Sequence, residues 1–476
     1  MSQALSTRRS FAAIGDLPSP RGVPVFGNFL QVKAGEFHLC LERWREELGP
    51  AFRINLMGMT FVCVDDPEIT HYVLKERPER FRRRRSLETV IKEMGFNGLF
   101  SSEGESWRRQ RRIVAQALNS AHLHRFFPNL EVTTERFRKR LTNAHEANES
   151  LDLCRELMRY TVDVTALLAF GIDVNTIETD GPVIQQHLDK VFPMLNRRIN
   201  MPIPYWRYFP LKADRELKAA LKEVKRHVNQ FIDDCRARMA SNPDLFGSPT
   251  NFLEAVIAAQ DEDGSRFSDE EIYANVITLL LAGEDTTAIT LAWALKFFCD
   301  YPDFFKRARD EADAVLGEDF MPRNYDAIGS LPFIEAFANE TMRVKPVAPL
   351  LAVDPNEDVE LLGMNIPKGT PIMMLIRYGA NSAENFSAPA SFDPDRWLTA
   401  PGDLQKHNTK AFLPFGTGPR FCPGRNLALL EIKMVLAMIC RNFDVRLDLP
   451  SAEVKEKLSF TMMPDRLTAR ISPRAL

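Results

Sequence analysis

Near its C-terminal end the chain reads Phe415-Gly416-Thr417-Gly418-Pro419-Arg420-Phe421-Cys422-Pro423-Gly424, and a helix-like pattern follows from about Asn426. Glycines on both sides of the cysteine allow the backbone to approach a flat ligand closely. The N-terminus of the following helix places free N–H groups and the positive end of the helix dipole near the sulfur. Such a setting favours a thiolate. A lone cysteine is more often a small buried hydrophobe, but for Cys422 the chemistry of the loop outweighs that interpretation.

The longest helical pattern upstream of this loop covers residues 269–300. Ser268 and Glu271 form a capping box at its start and Pro302 stops its far end, which predicts a helix of about 32 residues, or ~48 Å. The middle of the helix, Val276 to Gly283, is apolar on every side. We therefore expect the helix to be buried.

A polar step, Glu284-Asp285-Thr286-Thr287, follows directly inside this helix. A charge in a buried helix costs free energy unless it is paired or hydrated, so the step is a candidate functional site. The alternative is a simple bend, because threonine hydroxyls can bond back to the carbonyl four residues earlier. These residues alone leave both interpretations open.

A second candidate lies in the helical pattern at 332–344, which begins with proline and ends before another. Phe333, Phe337 and Glu340 share one face, so a carboxylate stands on the apolar stripe and needs a partner. Arg343 follows three residues later, within reach of Glu340. The alternative is an exposed ion pair, which contributes only a few tenths of a kcal/mol.

The composition of the chain excludes several classes of protein. Of its 476 residues, 45% are hydrophobic and 26% charged, as in globular proteins. The net charge of −3 argues against nucleic-acid binding, and the run Arg82 to Arg85 is interpreted as surface charge. No apolar stretch reaches the ~18 residues of a transmembrane helix. Seven widely spaced cysteines without a CxxC pair indicate a reduced, cytoplasmic location.

The pattern of hydrophobic residues predicts a mainly α fold with a small β region, in one domain. Helical periodicity covers residues 106–118, 213–240, 269–300, 303–316, 332–344 and 426–440. A β-hairpin is predicted at 51–56 and 60–64, and two strands joined by a turn at 366–374. Residues 1–16 are expected to be a flexible tail, and residues 17–476 the catalytic domain.

The motifs together resemble those of one family, the cytochromes P450, or haem-thiolate monooxygenases, and in particular a soluble, bacterial-type member. Residues 415–424 match the family's FxxGxRxCxG signature at every fixed position: Phe415, Gly418, Arg420, Cys422 and Gly424. The resemblance implies a haem b, with the Cys422 thiolate as axial ligand of the iron.

Two further motifs resemble those of the same family. The stretch from Ala282 is similar to its long-helix motif, in which Ala282 and Gly283 lie against the haem and Asp285 and Thr286 are the acid and the alcohol. Glu340 and Arg343 match its ExxR pair, and the segment 392–397 is similar to the one that supplies the third member, Arg396.

The resemblance also implies where the haem propionates are held. Trp107 and Arg111 match the family's propionate-binding helix, and Arg420 belongs to the same set. One departure is visible, because many members carry a basic residue where this chain has Val353 and Asp354. Trp107, Arg111 and Arg420 are therefore expected to carry more of the propionate binding.

The implied reaction inserts one oxygen atom of O2 into an organic substrate. Thiolate ligation favours cleavage of the O–O bond, and Asp285 and Thr286 would hold a water and relay protons. No GxGxxG or P-loop is present, so electrons are expected from a ferredoxin or a similar reductase-fed donor.

A basic face is expected to guide that donor. Three arginines share a helix with Trp107 and Arg111: Arg108, Arg109 and Arg112. Two more basic residues, Arg425 and Lys433, follow the cysteine. They would steer an acidic ferredoxin towards the haem. The alternative is an ordinary solvated helix surface.

Two other functions stay open: a haem-thiolate peroxygenase or isomerase, which should lack the acid–alcohol pair, and a non-catalytic haem sensor. The segments that line the pocket in the family, here 87–100, 191–209, 279–286, 347–351 and 460–463, are rich in Phe, Met, Leu and Pro. They predict a hydrophobic substrate of fatty-acid, terpenoid or steroid size. Arg197, Arg198 and Arg207 could bind a carboxylate at the mouth, solvate a mobile lid that touches a membrane surface, or belong to an ordinary surface loop.

Overall fold

Helices form most of the structure, a computed structural model that describes residues 11–33, 35–179, 190–201, 203–398 and 407–474. Side chains are described throughout these ranges except for Phe192 and Asn200. The predicted fold class, mainly α with a small β region, is confirmed.

The helices within these ranges are α1 (Phe37–Leu48), α2 (Pro67–Lys75), α3 (Arg85–Glu93), α4 (Gly104–Ala117), α5 (Ser120–Glu146), α6 (Leu153–Phe170), α7 (Val191–Asn200), α8 (Lys212–Ser241), α9 (Asp244–Gly247), α10 (Phe252–Ala258), α11 (Asp269–Asp300), α12 (Pro302–Leu316), α13 (Tyr325–Gly329), α14 (Pro332–Val344), α15 (Ile376–Ala380) and α16 (Arg425–Asn442). Their apolar faces form one large core. Short 3-10 turns include Tyr205–Arg207 and Pro394–Trp397.

Helix α11 runs through this core, as its apolar middle predicted. The Ser268 backbone N–H donates to the Glu271 carboxylate over 2.9 Å, which with the reciprocal bond completes the capping box. Helix α6 packs along α11. On length and composition α11 could also cross a membrane, but 67% of its most apolar window is buried inside this fold, as expected of a core helix in a globular protein.

The strands are β1 (Ala51–Leu56), β2 (Met59–Val64), β3 (Phe81–Arg83), β4 (Leu151–Asp152), β5 (Leu351–Pro355), β6 (Val359–Leu361), β7 (Met364–Ile366), β8 (Ile372–Met374), β9 (Phe443–Leu447), β10 (Glu456–Leu458), β11 (Met462–Pro464) and β12 (Thr468–Pro473). The largest sheet has the order β1-β2-β8-β5-β3 and packs on two smaller cores. The others are β4-β12-β9, β10-β11 and β6-β7.

Two predictions need correction, one for residues 366–374 and one for the N-terminal tail. Residues 366–374 do not form a pair of strands joined by a turn, because β7 pairs with β6 while β8 lies between β2 and β5 in the largest sheet. The predicted tail also reaches into the fold: the Phe11 N–H donates to the Leu362 carbonyl over 3.3 Å, and Ile14 packs against the core of the sheet. Residues 1–10 lie outside the described residues.

Candidate functional site

The cysteine loop is a tight turn that leads directly into α16. The Cys422 N–H donates to the Phe415 carbonyl over 2.9 Å, and Phe421 donates to Gly418 over 3.0 Å. Gly418 has a φ of 72°, and a Cβ there would lie 2.6 Å from the Leu74 carbonyl oxygen. Only glycine fits this close approach, so the loop depends on it.

The Cys422 thiol is subject to opposing electrostatic effects. Burial raises its pKa, whereas backbone N–H groups of Gly424 and Arg425 and the charge of Arg111 lower it, and burial is the largest of these effects. The helix N-terminus therefore supplies the donors expected from the sequence, but they do not by themselves make a thiolate. A further positive charge at the sulfur, such as a metal ion, would favour ionisation.

One face of α11 is open in the middle of the core. Ala282 is exposed and Leu279 and Thr286 are half-buried, although most of the residues around them are buried. These three residues are spaced three and four apart and so share a face. Space large enough for a water molecule must therefore lie against this face.

The polar step of α11 lies next to this space. The Thr286 hydroxyl donates to the Ala282 carbonyl, four residues earlier, over 2.9 Å. This is the hydrogen bond expected if the polar step only bends the helix. The helix nevertheless continues unbroken to Asp300. Asp285 is half-buried and lies close to Cys154 on α6, where burial first, and the charges of Asp152 and Asp285 after it, raise the pKa of the thiol.

Gly283 is required where α6 crosses α11. A Cβ at this position would lie 2.5 Å from Thr165 Oγ1 and 3.1 Å from its Cγ2. The Thr161 hydroxyl, one turn earlier, donates to the Glu284 carbonyl over 2.7 Å, which fixes the crossing. Gly283 therefore sets how closely the two helices pack.

We expect Gly283→Ala to destabilise the fold by about 1–3 kcal/mol, because the methyl group must displace Thr165. The double variant with Thr165→Ala should recover most of this loss, since Thr165 Oγ1 has no hydrogen-bond partner in the part of the chain that the structure describes. Gly329→Ala is the control: its Cβ would meet nothing within 4 Å. Chemical denaturation measures all three variants, and equal stability of Gly283→Ala and Gly329→Ala would contradict the prediction.

Glu340, Arg343 and Arg396 form a buried charged cluster. Arg343 donates to both oxygens of Glu340 over 2.9 and 2.8 Å, and Arg396 Nε donates over 3.1 Å. The structure adds Trp397, whose Nε1 donates to Glu340 over 3.0 Å. The Asp393 N–H donates to the same carboxylate over 2.8 Å. Arg343 also donates to the backbone carbonyls of Ala380 and Ser391. The cluster therefore connects α14 to residues 380–397, which precede the cysteine loop.

Arg420 belongs to the cysteine loop, and Trp107 and Arg111 lie close to that loop. The Arg420 guanidinium stacks 4.6 Å from the Trp107 ring, forms a 2.8 Å ion pair with Glu103 and donates to the Ser102 carbonyl over 2.5 Å. Burial lowers the pKa of Arg420 to about 10, although Glu103 opposes the shift. Arg111 is close enough to Cys422 to affect its ionisation.

Two further arginines join this group, and sequence reasoning missed both. Arg77 is buried, and its Nε and Nη2 have no hydrogen-bond partner among the described residues. Arg83 belongs to the run interpreted as surface charge, which is wrong for this residue. Burial, together with the nearby charges of Arg77 and Arg420, holds the pKa of Arg83 well below its usual value.

These residues fit the expected haem, which carries two propionate carboxylates. The guanidinium groups of Arg77, Arg83 and Arg420 lie near Glu103, which pairs with Arg420, so the other two positive charges have no carboxylate partner among the described residues. Two propionates would neutralise them. The open face of α11 and the small Gly424, whose Cβ would meet only Cys422 Sγ at 3.8 Å, leave room for a flat group.

The basic face expected over the haem is largely neutralised. Arg108 pairs with Glu79 and Glu105, and Arg112 pairs with Asp261 over 2.7 Å. Two more of the five basic residues are paired: Arg109 with Glu271, and the buried Lys433 with Glu335. Arg425 alone of the five is exposed without an ion pair among the described residues.

The arginines near the predicted pocket mouth are also partly paired. Arg198 is buried and donates to Asp214 over 2.8 Å. Arg207 pairs with Glu93 on α3, which also accepts from Trp206 Nε1 over 2.9 Å. These contacts favour the interpretation that both arginines hold a surface segment in place.

Comparison with known proteins gives consistent matches over nearly the whole chain. The family model described as Cytochrome P450 matches residues 17–469. The chain is 29% identical to "Probable cytochrome P450 4s3" of Drosophila melanogaster over 439 residues, which are 88% of this chain and 85% of that protein.

Two other matches extend the comparison. The chain is 27% identical over 468 residues to "Bifunctional cytochrome P450/NADPH--P450 reductase 2" of Bacillus subtilis (strain 168), covering 96% of this chain and 42% of that protein. The crystal structure of the cytochrome P450DA heme domain superposes with a TM-score of 0.85 at 25% identity, covering 98% of this chain and 99% of that one.

Proposed function

The chain belongs to the cytochrome P450 family of haem monooxygenases, and we propose that it hydroxylates a hydrophobic organic substrate with electrons from a separate protein. One atom of O2 enters a C–H bond of the substrate. The other leaves as water, with two electrons from the donor and two protons from solvent.

Three observations together support the proposal: a thiol at a helix N-terminus, an excess of two guanidinium charges around Glu103, and the open face in the middle of α11. We propose that the Cys422 thiolate would ligate the iron of a haem b and that Arg420, with Trp107 and Arg111, would hold the haem in place. When bound, the haem supplies the iron at which O2 is activated. Amides of Gly424 and Arg425 stabilise negative charge on the sulfur.

Thr286 and Asp285 are proposed to deliver protons. Thr286 is half-buried on the open face of α11, where its hydroxyl can hold a water while donating to the Ala282 carbonyl. Asp285, adjacent in the helix, is a carboxylate that can exchange protons with solvent. The pair would move protons into an otherwise apolar space.

We expect Thr286→Ala to bind substrate and consume reducing equivalents at near wild-type rates, while most of the oxygen consumed leaves as peroxide. Loss of a positioned proton-transfer group slows proton delivery by about 10²–10⁴-fold. Thr290→Ala is the matched control, since Thr290 makes the same back-bond, to the Thr286 carbonyl over 2.9 Å, but is buried. Product formed per electron pair is measured; full coupling in Thr286→Ala would contradict the relay.

The walls of the predicted pocket support a hydrophobic substrate. Phe100 and Phe460 meet edge to face at 6.0 Å. Both are half-buried and pack against the main core, as do Leu87 and Leu279, so each leaves apolar surface that a ligand could cover. A substrate of fatty-acid, terpenoid or steroid size would bury such surface.

The experiment that tests the function is a ligand screen followed by turnover. Compounds are scored by the shift they cause in the spin state of the haem iron. Long-chain and polycyclic hydrocarbons should shift it, whereas a response only to small polar or multiply charged compounds would contradict the substrate class. Hits are then incubated with O2 and a ferredoxin–reductase system, or with peroxide alone. Oxidation by peroxide but not by the O2 system would favour a peroxygenase instead.

We propose a ferredoxin or a similar reductase-fed protein as electron donor, in a cytoplasmic setting. All seven cysteines are free, which suits a reducing compartment. Because the arginines of α4 are paired with carboxylates, docking is expected to depend less on long-range steering than their sequence suggested.

A further inference from the structure

Strands β10 and β11 form a two-stranded sheet that joins no other strand among the described residues. Each strand has three residues, and the turn between them carries Phe460, whose ring meets Phe100 edge to face at 6.0 Å. A two-stranded hairpin is at best marginally stable by itself in water. The position of the Phe460 ring therefore depends on the contacts that hold the two strands.

Strand β10 is held by the charge of Glu456. Its carboxylate accepts a hydrogen bond from His38 Nε2 over 2.8 Å and forms ion pairs with Lys345 and Arg377. These three partners come from three elements: His38 lies on α1, Lys345 directly follows α14, and Arg377 lies on α15. Burial opposes ionisation of Glu456, but His38, Arg377 and Lys345 together hold its pKa below its usual value.

The charges in this cluster balance one another. Arg377 also donates to Glu42 of α1 over 2.8 Å, so two carboxylates face the side-chain cations of Lys345 and Arg377. His38 is fully buried, and the other four side chains are between 11% and 19% exposed. A largely buried charge that loses its partner is costly. The base of β10 is therefore held in one strongly preferred position.

Strand β11 is held by hydrogen bonds on the side of the long helix. The Met462 N–H donates to the Val347 carbonyl over 2.9 Å, and Nε1 of the fully buried Trp293 on α11 donates to the Met462 carbonyl over 3.2 Å. The Lys345 ammonium lies 5.0 Å from the Trp293 ring. The charged cluster is thus connected to α11, the helix that carries Thr286.

We propose that Glu456 is a positioning residue that limits the size of ligand the site accepts, because it fixes how far the Phe460 turn reaches towards Phe100. The inference rests on the proposed function, since it needs a ligand that binds against Phe460 beside a haem. Phe460 is half-buried and leaves apolar surface for such a ligand. Glu456 would act through Phe460 and would not itself touch the ligand.

The test measures how tightly two azoles of different size bind to the haem-loaded full chain. Imidazole and clotrimazole both bind iron through a nitrogen and shift the Soret band to the red, but only clotrimazole is large enough to reach the Phe460 turn. Glu456→Gln with Lys345→Met removes one charge of each sign and keeps the pair of Arg377 and Glu42. We expect this variant to bind clotrimazole, relative to imidazole, about three- to tenfold more tightly than wild type, because the aromatic contact no longer holds the turn in place.

Three comparisons show whether the effect passes through Phe460. Phe460→Ala sets the upper limit of the change in the azole ratio, and adding the two charge substitutions to it should change the ratio no further. Lys457→Gln, at an exposed position on β10, should keep the wild-type ratio. Glu456→Asp keeps the charge but shortens the side chain, so it should shift the ratio in the same direction by less, even if the charge-balanced variant folds poorly.

A wild-type azole ratio in the Glu456 variants, whether or not they are less stable, would overturn the proposal, because the cluster would then be structural only. A shift that persists in full in the Phe460→Ala background would also overturn it. The proposed function fails in a different way: wild-type protein that binds no haem, or binds it without a thiolate-type spectrum, contradicts that function whatever the variants of Glu456 do.

Discussion

Replacing the loop cysteine, Cys422→His, is expected to abolish the strongly red-shifted Soret band that thiolate donation gives to the reduced carbonyl complex, and to lower substrate oxidation to background. Imidazole can still bind iron, so haem content should fall much less than activity. The reason is electronic: a neutral nitrogen ligand does not donate the electron density that favours O–O cleavage.

Cys299→Ser is the matched control for this experiment. Cys299 is also a free, partly buried cysteine, with its sulfur 3.4 Å from the Val445 carbonyl oxygen. It should keep both the shifted band and the activity. An unshifted band in folded wild-type protein, or a shifted band that persists in Cys422→His, would contradict the ligand assignment.

Arg343→Ala is expected to give little haem-loaded protein and to reduce the free energy of unfolding by about 3–5 kcal/mol. Removing this guanidinium leaves the fully buried Glu340 carboxylate with Arg396, Trp397 and one backbone N–H as partners. Two hydrogen bonds to backbone carbonyls, those of Ala380 and Ser391, are lost at the same time. Haem content per chain and the midpoint of chemical denaturation measure the effect.

An exposed pair with the same spacing provides the control. Glu223 and Arg226 are three residues apart on α8, with an N···O distance of 3.0 Å and side chains 41% and 62% exposed. Arg226→Ala should therefore cost less than about 1 kcal/mol. Similar losses in both variants would show that burial is not what makes the Glu340 cluster important.

The elements that sequence reasoning predicted well are those whose signals are local. The helices expected at 213–240, 269–300, 303–316 and 332–344 end within one residue of the observed ones. Each combines apolar periodicity with a cap or a proline at its boundary, and these interactions involve residues a few positions apart.

Helices α5 and α6 were not predicted, because tertiary packing overrides their local sequences. Helix α5 contains Pro128, which local rules treat as a break, yet it runs unbroken for 27 residues. Helix α6 is rich in β-branched residues and buried on nearly all sides, since it lies between α5 and α11. A helix surrounded in this way shows little amphipathic pattern.

The chemistry-bearing motifs could be predicted from the sequence, because the cysteine loop, the acid–alcohol step and the carboxylate–arginine pair are each contained in a few consecutive residues. Which charges are compensated could not, because that depends on how the chain folds. Trp397 joins Glu340 from another segment, the arginines of α4 find acidic partners far away in the chain, and Arg83 lies opposite Val353 because β3 pairs with β5. An arginine looks the same in sequence whether it is solvated or buried, because burial and pairing depend on residues that meet only after folding.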